Sequence, residues 1–93
     1  MREKNLNFNK AKIFKFFQEK KYAKISKISK TILKTFGNDK DIYKIIILSE
    51  INEKNLDRAL IVSEKLLLLM DDAETNYIHG NVLKLKNKFK EAI

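Results

Sequence analysis

Apolar and polar positions follow each other along this chain with the three- and four-residue spacing of an amphipathic helix, almost from end to end. From Phe8, the set Ile13, Phe14, Phe16 and Phe17 forms one wide stripe that runs to about Glu19. Tyr22, Ile25, Ile28, Ile32, Leu33 and Phe36 form a second, with Lys24, Lys27, Lys30 and Lys34 on the opposite side. Gly37-Asn38-Asp39 is the clearest break, predicting Gly37 just past a helix end and Asp39 as the N-cap of the next helix. A third helix is predicted over 40–52, with Ile42, Ile45, Ile46, Leu48 and Ile51 inward. Asn55 is placed to cap a fourth, over 56–70. Asp71 and Asp72 interrupt the pattern and put carboxylates at the start of a fifth helix over 73–85, where the helix dipole favours them. A sixth is predicted to begin near Lys88. Short joints between such helices read as successive antiparallel hairpins in an all-α chain.

Four positions recur at fixed offsets. Gly80, Leu83, Phe89 and Ala92 correspond to Ile47, Glu50, Leu56 and Ala59 in the middle of the chain, and to Ile13, Phe16, Tyr22 and Ile25 in its first part. The spacing is 34 residues from Tyr22 to Leu56 and 33 from Leu56 to Phe89. On these residues the chain resembles the tetratricopeptide repeat (TPR) family, whose unit is a helix–turn–helix of about 34 residues. The resemblance spans roughly residues 6–93 and is strong only over about the last 35. Ile47 and Ile25 stand where the family has small residues, and the Pro that closes each unit is missing.

The resemblance implies a right-handed α-solenoid of antiparallel helical hairpins in a single domain, 1–93, with about 2.5 to 3 repeats: 6–39, 40–72 and an incomplete 73–93. It implies that Gly80 lets a paired helix approach, that Ala92 sits at the crossing point and that Phe89 fills the space between. Tyr22, Leu56 and Ala59 take the equivalent packing places. It also implies a concave groove, lined by the first helix of each unit, that holds an extended or helical peptide. Matching positions name Lys10, Phe14, Phe17 and Gln18, then Lys44, Ile45, Leu48 and Asn52, then Tyr77, Ile78, Asn81 and Lys84. Apolar pockets beside Lys and Asn suit a peptide with hydrophobic anchors and some acidic character. The two-carboxylate clamp of chaperone-tail-binding members is not matched. Phe14 follows Lys10 by one turn, Ile45 stands where Asn is needed, and Glu74 and Ile78 where basic residues are needed.

Composition narrows the chemistry. Without Cys, Pro or Trp, and with two Gly in 93 residues, the chain has no disulfide framework, no thiol chemistry and no turn-dense β-fold. A chain of this length buries only about 60% of its unfolded surface, so its helices must stack well or lean on more protein. The net charge of +8 suggests an anionic partner. Against that, 18 of the 20 basic residues are Lys, which lacks the bidentate fork of Arg. Lys, Ile and Asn make up 39 of the 93 residues, the composition expected from A/T-rich codon usage. The charge is also local: residues 1–36 carry +9, 37–72 carry −3 and 73–93 carry +2. Lys20, Lys21, Lys24, Lys27, Lys30 and Lys34 form a basic face, read first as a solvated helix surface and otherwise as a track for a phosphate backbone or an anionic leaflet.

Candidate catalytic groups are few. His79, the one histidine, has no Cys, second His or spaced carboxylate pair for a metal site, and reads as a half-buried helix residue. Asp71 and Asp72 read as caps. Two glycines leave no phosphate-binding loop and no nucleophile elbow. The expectation is therefore no catalysis, metal or cofactor within these residues. The longest apolar run, Leu66–Met70, is far short of a membrane span and no leader pattern precedes it, so the expected compartment is the cytoplasm. Three functions stay open. One is a protein-interaction scaffold. Another is the N-terminal repeat segment of a larger enzyme, such as a glycosyltransferase or sulfotransferase. The third is a nucleic-acid or anionic-surface binder using the basic face. The third unit, cut short in its second helix, is expected to leave an apolar face for further repeats, another domain or self-association to cover.

Overall fold

The structure, a computed structural model, describes residues 9–92, with side chains through Lys88. Its elements are α1 (Lys10–Gln18), α2 (Tyr22–Lys27), α3 (Ser29–Thr35), α4 (Lys40–Asn52), α5 (Leu56–Leu69) and α6 (Ala73–Ala92). There is no strand among the described residues, so the fold class is all-α. Three of the helix starts have side-chain caps. Asn9 accepts from the Lys12 amide at 2.8 Å and Asp39 from the Ile42 amide at 3.3 Å. At the third, the Thr75 amide donates to Asp72 Oδ1 at 2.8 Å and the Asp72 amide to Thr75 Oγ1 at 3.1 Å, a reciprocal box. Asn55 does not cap α5 as its position suggests, because its side-chain amide turns inward and donates to Glu50 Oε1 at 3.1 Å.

Helices α1 and α4 end in the same way. Lys20 and Lys54 take left-handed backbone angles, φ 59° and 62°. The Lys20 and Lys21 amides donate back to Phe17 and Phe16, at 3.0 and 2.9 Å, and the Lys54 and Asn55 amides to Ile51 and Glu50, at 2.9 and 2.8 Å. These are the paired bonds of a Schellman turn. Gly37 stands just past the end of α3, after its cap Phe36, as expected, but neither glycine has a positive φ. Gly37 serves close approach instead, since a Cβ there would stand 3.1 Å from the Leu33 carbonyl oxygen.

Two boundaries differ from the periodicity. The second apolar stripe is two helices, bent at Ile28 (φ −103°, ψ 12°). The run Ile25–Ile32 is rich in Ser and β-branched residues, which are poor helix formers. The Ser26 carbonyl there also accepts from the Arg58 guanidinium at 3.5 Å. The predicted break near residue 85 is absent, and a single helix runs from Ala73 to Ala92. A turn at Asn87 would leave the following residues to nucleate a new helix, whereas extending α6 adds one backbone bond per residue.

Each helix packs mainly on its chain neighbours, α4 on α5 and α5 on α6, while α1 and α2 both lie on α4. The result is elongated, 47 × 28 × 20 Å. Ile13, Ile25, Ile32, Ile42, Ile46 and Leu66 are fully buried. Each such side chain contributes about 1.5–3 kcal/mol relative to exposure. Tyr43 joins them and donates its hydroxyl to the Gly37 carbonyl at 2.9 Å, and burial pushes its phenol pKa up. Among these apolar side chains lies one carboxyl group. Glu50 is fully buried, with Oε1 accepting from Ser26 Oγ at 2.8 Å and Oε2 lying 3.7 Å from the Arg58 guanidinium. This cluster ties α2, α4 and α5 together.

Candidate binding cleft

Helices α4 and α6 begin side by side, held by ion pairs. Lys40 Nζ reaches Asp72 Oδ2 at 2.8 Å and Glu74 Oε1 at 3.0 Å, and Lys44 Nζ reaches Glu74 Oε2 at 2.7 Å. The Lys40 hydrogen bond, followed by the Thr75 amide, holds the Asp72 carboxyl down to about 2. Lys44 and then Lys40 hold Glu74 below the usual carboxylate range, and the same bonds raise Lys40.

Further along, α4 and α6 leave a cleft of about 370 Å³. Ile47, Leu48 and Ile51 form one wall and Ile78, Val82 and Leu85 the other, with Lys44, Asn81 and Lys84 supplying its polar groups. Lys44 is already neutralised by Glu74. Lys84 is exposed and has no ion-pair partner among the described residues. The cleft is thus apolar with one open cation.

Five of the groove positions named from the sequence line this cleft together: Lys44, Leu48, Ile78, Asn81 and Lys84. The others lie elsewhere. Ile45 is buried in the core, which corrects its placement in a groove. Asn52 donates to the Leu48 carbonyl of its own helix at 2.9 Å. Tyr77 stands 71% exposed and does not line the cleft. Lys10 pairs with Asp39 at 2.9 Å, its ammonium 5.8 Å from the centre of the Phe14 ring. Phe17 packs edge-on against Tyr22, at 5.7 Å between ring centres, and Gln18 is exposed. Sequence reasoning missed Ile47, Ile51, Val82 and Leu85. Their signal was present as i, i+4 and i, i+3 apolar pairs, Ile47–Ile51 and Val82–Leu85, next to the named residues.

The packing positions divide as well. Leu56 and Ala59 are buried, and Tyr22 is half-buried. Among the described residues Gly80 meets no paired helix: a Cβ there would find nothing within 4 Å. Phe89 and Ala92 lie outside the described side chains. On the basic face, Lys20, Lys21, Lys24, Lys27, Lys30 and Lys34 are all exposed, but Lys20 belongs to the turn before α2. Lys21 pairs with Glu19 at 3.2 Å, and Lys24 sits 4.7 Å from the Phe16 ring centre. His79 Nδ1 lies 2.9 Å from Ser63 Oγ. Ser63 Oγ also donates to the Leu60 carbonyl at 2.9 Å, so the imidazole is the donor to Ser63 and not its base. Among the described residues, no group of three or more His, Asp or Glu is placed to hold a metal ion, and no helix is long and apolar enough to cross a membrane. No family model matches the chain, and no curated protein or solved structure matches it significantly.

Proposed function

We propose that the chain is a non-catalytic protein-interaction module, a right-handed stack of TPR-like hairpins that holds a peptide or partner helix in the cleft between α4 and α6. The observation that carries this reading is the cleft itself, apolar on both walls with Lys84 open at its edge. Its volume falls in the range of side-chain-binding pockets. The repeat reading is supported by the matching turns at Lys20 and Lys54, 34 positions apart, which join α1 to α2 and α4 to α5. The fitting ligand places aliphatic anchors against Leu48, Ile51 and Leu85, and a carboxylate toward Lys84. Selection from a random peptide library tests this. Recovered peptides should combine aliphatic residues with Asp or Glu and bind Leu48→Glu at least about tenfold more weakly, a change of about 1.4 kcal/mol. Lys84→Glu should reverse the acidic preference. Peptides indifferent to both substitutions would place the site elsewhere.

A second reading rests on the basic face. Of its six Lys residues, only Lys21 has an ion-pair partner among the described residues. That leaves an uncompensated field for a polyanion. Binding to duplex or single-stranded RNA that survives 150 mM salt, at roughly the ionic strength where the Debye length is 8 Å, would favour it.

A further inference from the structure

The outer face of α6 has no neighbour among the described residues and an unusual composition. Ala73, Tyr77, Gly80, Leu83 and Asn87 recur every three or four residues along it, and all are exposed. Tyr77 and Leu83 are 71% and 41% exposed, which is much apolar surface for one helix face. Between them lies Gly80, with nothing within 4 Å of where its Cβ would be. A glycine inside a helix is destabilising relative to alanine, and nothing among the described residues uses the missing side chain. Close approach of another helix does use it. The equivalent offsets earlier in the chain, Ile13 and Ile47, are fully or almost fully buried.

The charges on α6 indicate which helix fits. Asp71, Asp72 and Glu74 stand at its start, and Lys84, Lys86 and Lys88 in its second half. Asp72 and Glu74 are paired with Lys40 and Lys44, and Lys86 with Asp57 at 2.7 Å. Asp71, Lys84 and Lys88 have no ion-pair partner among the described residues. An antiparallel copy of α6 brings the acidic start of one helix against the basic half of the other, at both ends of the seam. We propose that the outer face of α6 is a self-association surface, on which a second copy of the chain docks its own α6 antiparallel. Gly80 of each copy sits over Gly80 of the other, Leu83 of each lies level with Tyr77 of the other, and Asp71 of each comes beside Lys88 of the other. The contact is isologous, so each favourable pairing occurs twice and the assembly closes at two copies. The inference is independent of the cleft between α4 and α6, whose walls lie on another side of the helix.

Sedimentation equilibrium of the chain over micromolar to millimolar concentration tests it. A monomer–dimer equilibrium is expected, micromolar in strength because one helix seam is a small interface. Gly80→Gln adds a good helix former where there is open space, so the monomer should keep its circular dichroism and thermal midpoint while the dimer constant weakens at least about tenfold. Asp71→Lys and Lys88→Asp should each weaken the homodimer, and mixing the two variants should restore a dimer. Leu48→Glu, in the cleft, should leave association unchanged. A chain that stays monomeric throughout, or a dimer that persists in Gly80→Gln, would overturn the proposal.

Discussion

Lys20 and Lys54 occupy the same left-handed corner of two turns, 34 positions apart. Each follows a Glu, and each precedes an amide that reaches back to the last turn of the helix, Lys21 to Phe16 and Asn55 to Glu50. Two local structures of this kind, one repeat length apart, arise when two stretches of chain solve the same problem: ending one helix and starting its antiparallel partner. Neither turn uses glycine, the residue that adopts this conformation without a Cβ clash.

The missing glycine predicts a stabilising substitution. A non-glycine residue in the left-handed region costs about 1–2 kcal/mol. Lys20 is exposed, so Lys20→Gly removes that cost and loses little packing. Part of the gain is offset by the greater freedom of glycine in the unfolded chain, leaving about 0.5–1 kcal/mol. Thermal unfolding followed by circular dichroism should show a midpoint a few degrees higher for Lys20→Gly and lower for Lys20→Val, whose branched side chain suits the turn least.

Glu50 is the residue on which three helices depend. Removing its side chain leaves the buried Ser26 Oγ without its acceptor and takes from Asn55 Nδ2 the shorter of its two bonds. It also leaves a cavity among well-packed side chains. Glu50→Ala is expected to lower stability by about 2–4 kcal/mol in urea unfolding. Ser26→Ala combined with Glu50→Ala should cost less than the two single losses added, by about 0.5–3 kcal/mol, because both remove the same bond. Strict additivity would show that the two groups do not share a network.

The parts of the fold legible in the sequence are those encoded by neighbours in the chain. Asp39 marks the start of α4, and the carboxylates at Asp71 and Asp72 mark that of α6, because capping is a contact over three residues. The bend at Ile28 is different in kind. It involves the Ser26 carbonyl and Arg58, 32 positions away, which no local pattern reveals. The continuity of α6 through Asn87 depends on whether anything packs beyond it, and residue types at the turn do not decide that. For the cleft, Lys44, Leu48, Ile78, Asn81 and Lys84 were reachable by repeat offset. Ile47 and Ile51 were not, because whether they border an opening depends on how α4 and α6 diverge.

Ser63 and His79 offer a smaller test of a structural role. The Ser63 hydroxyl donates to the Leu60 carbonyl and accepts from the imidazole, joining α5 to α6. Ser63→Ala removes both bonds and should cost about 1–2 kcal/mol in urea unfolding. A His79→Gln variant should lose less, since an amide N–H can replace the imidazole donor. Equal losses would mean that the His79 ring contributes chiefly by packing.

The ion pairs predict how stability depends on pH. Lys40 and the Thr75 amide hold Asp72 at about 2 against an ordinary 3.8. Glu74 is lowered by Lys44 and Lys40, and Asp57 by Lys86. At Asp39, burial opposes the shift, and the bonds from Lys10 and the Ile42 amide still lower it. All four carboxyl groups bind a proton less readily in the folded chain than in the unfolded one. Their contribution is therefore complete above the ordinary carboxylate range and disappears as pH falls through the folded values, between about 4 and about 2. Lys40→Met removes the partner shared by Asp72 and Glu74. The variant should unfold at a lower temperature than the parent near neutral pH, with the gap closing as pH falls through about 2 and below, where both carboxyls become protonated in either protein. Because these side chains are exposed, the gap should also shrink in 1 M salt, where the Debye length is about 3 Å. A gap that stays constant with pH would assign Lys40 a packing role through its methylene stem and detach the acid limb from this cluster.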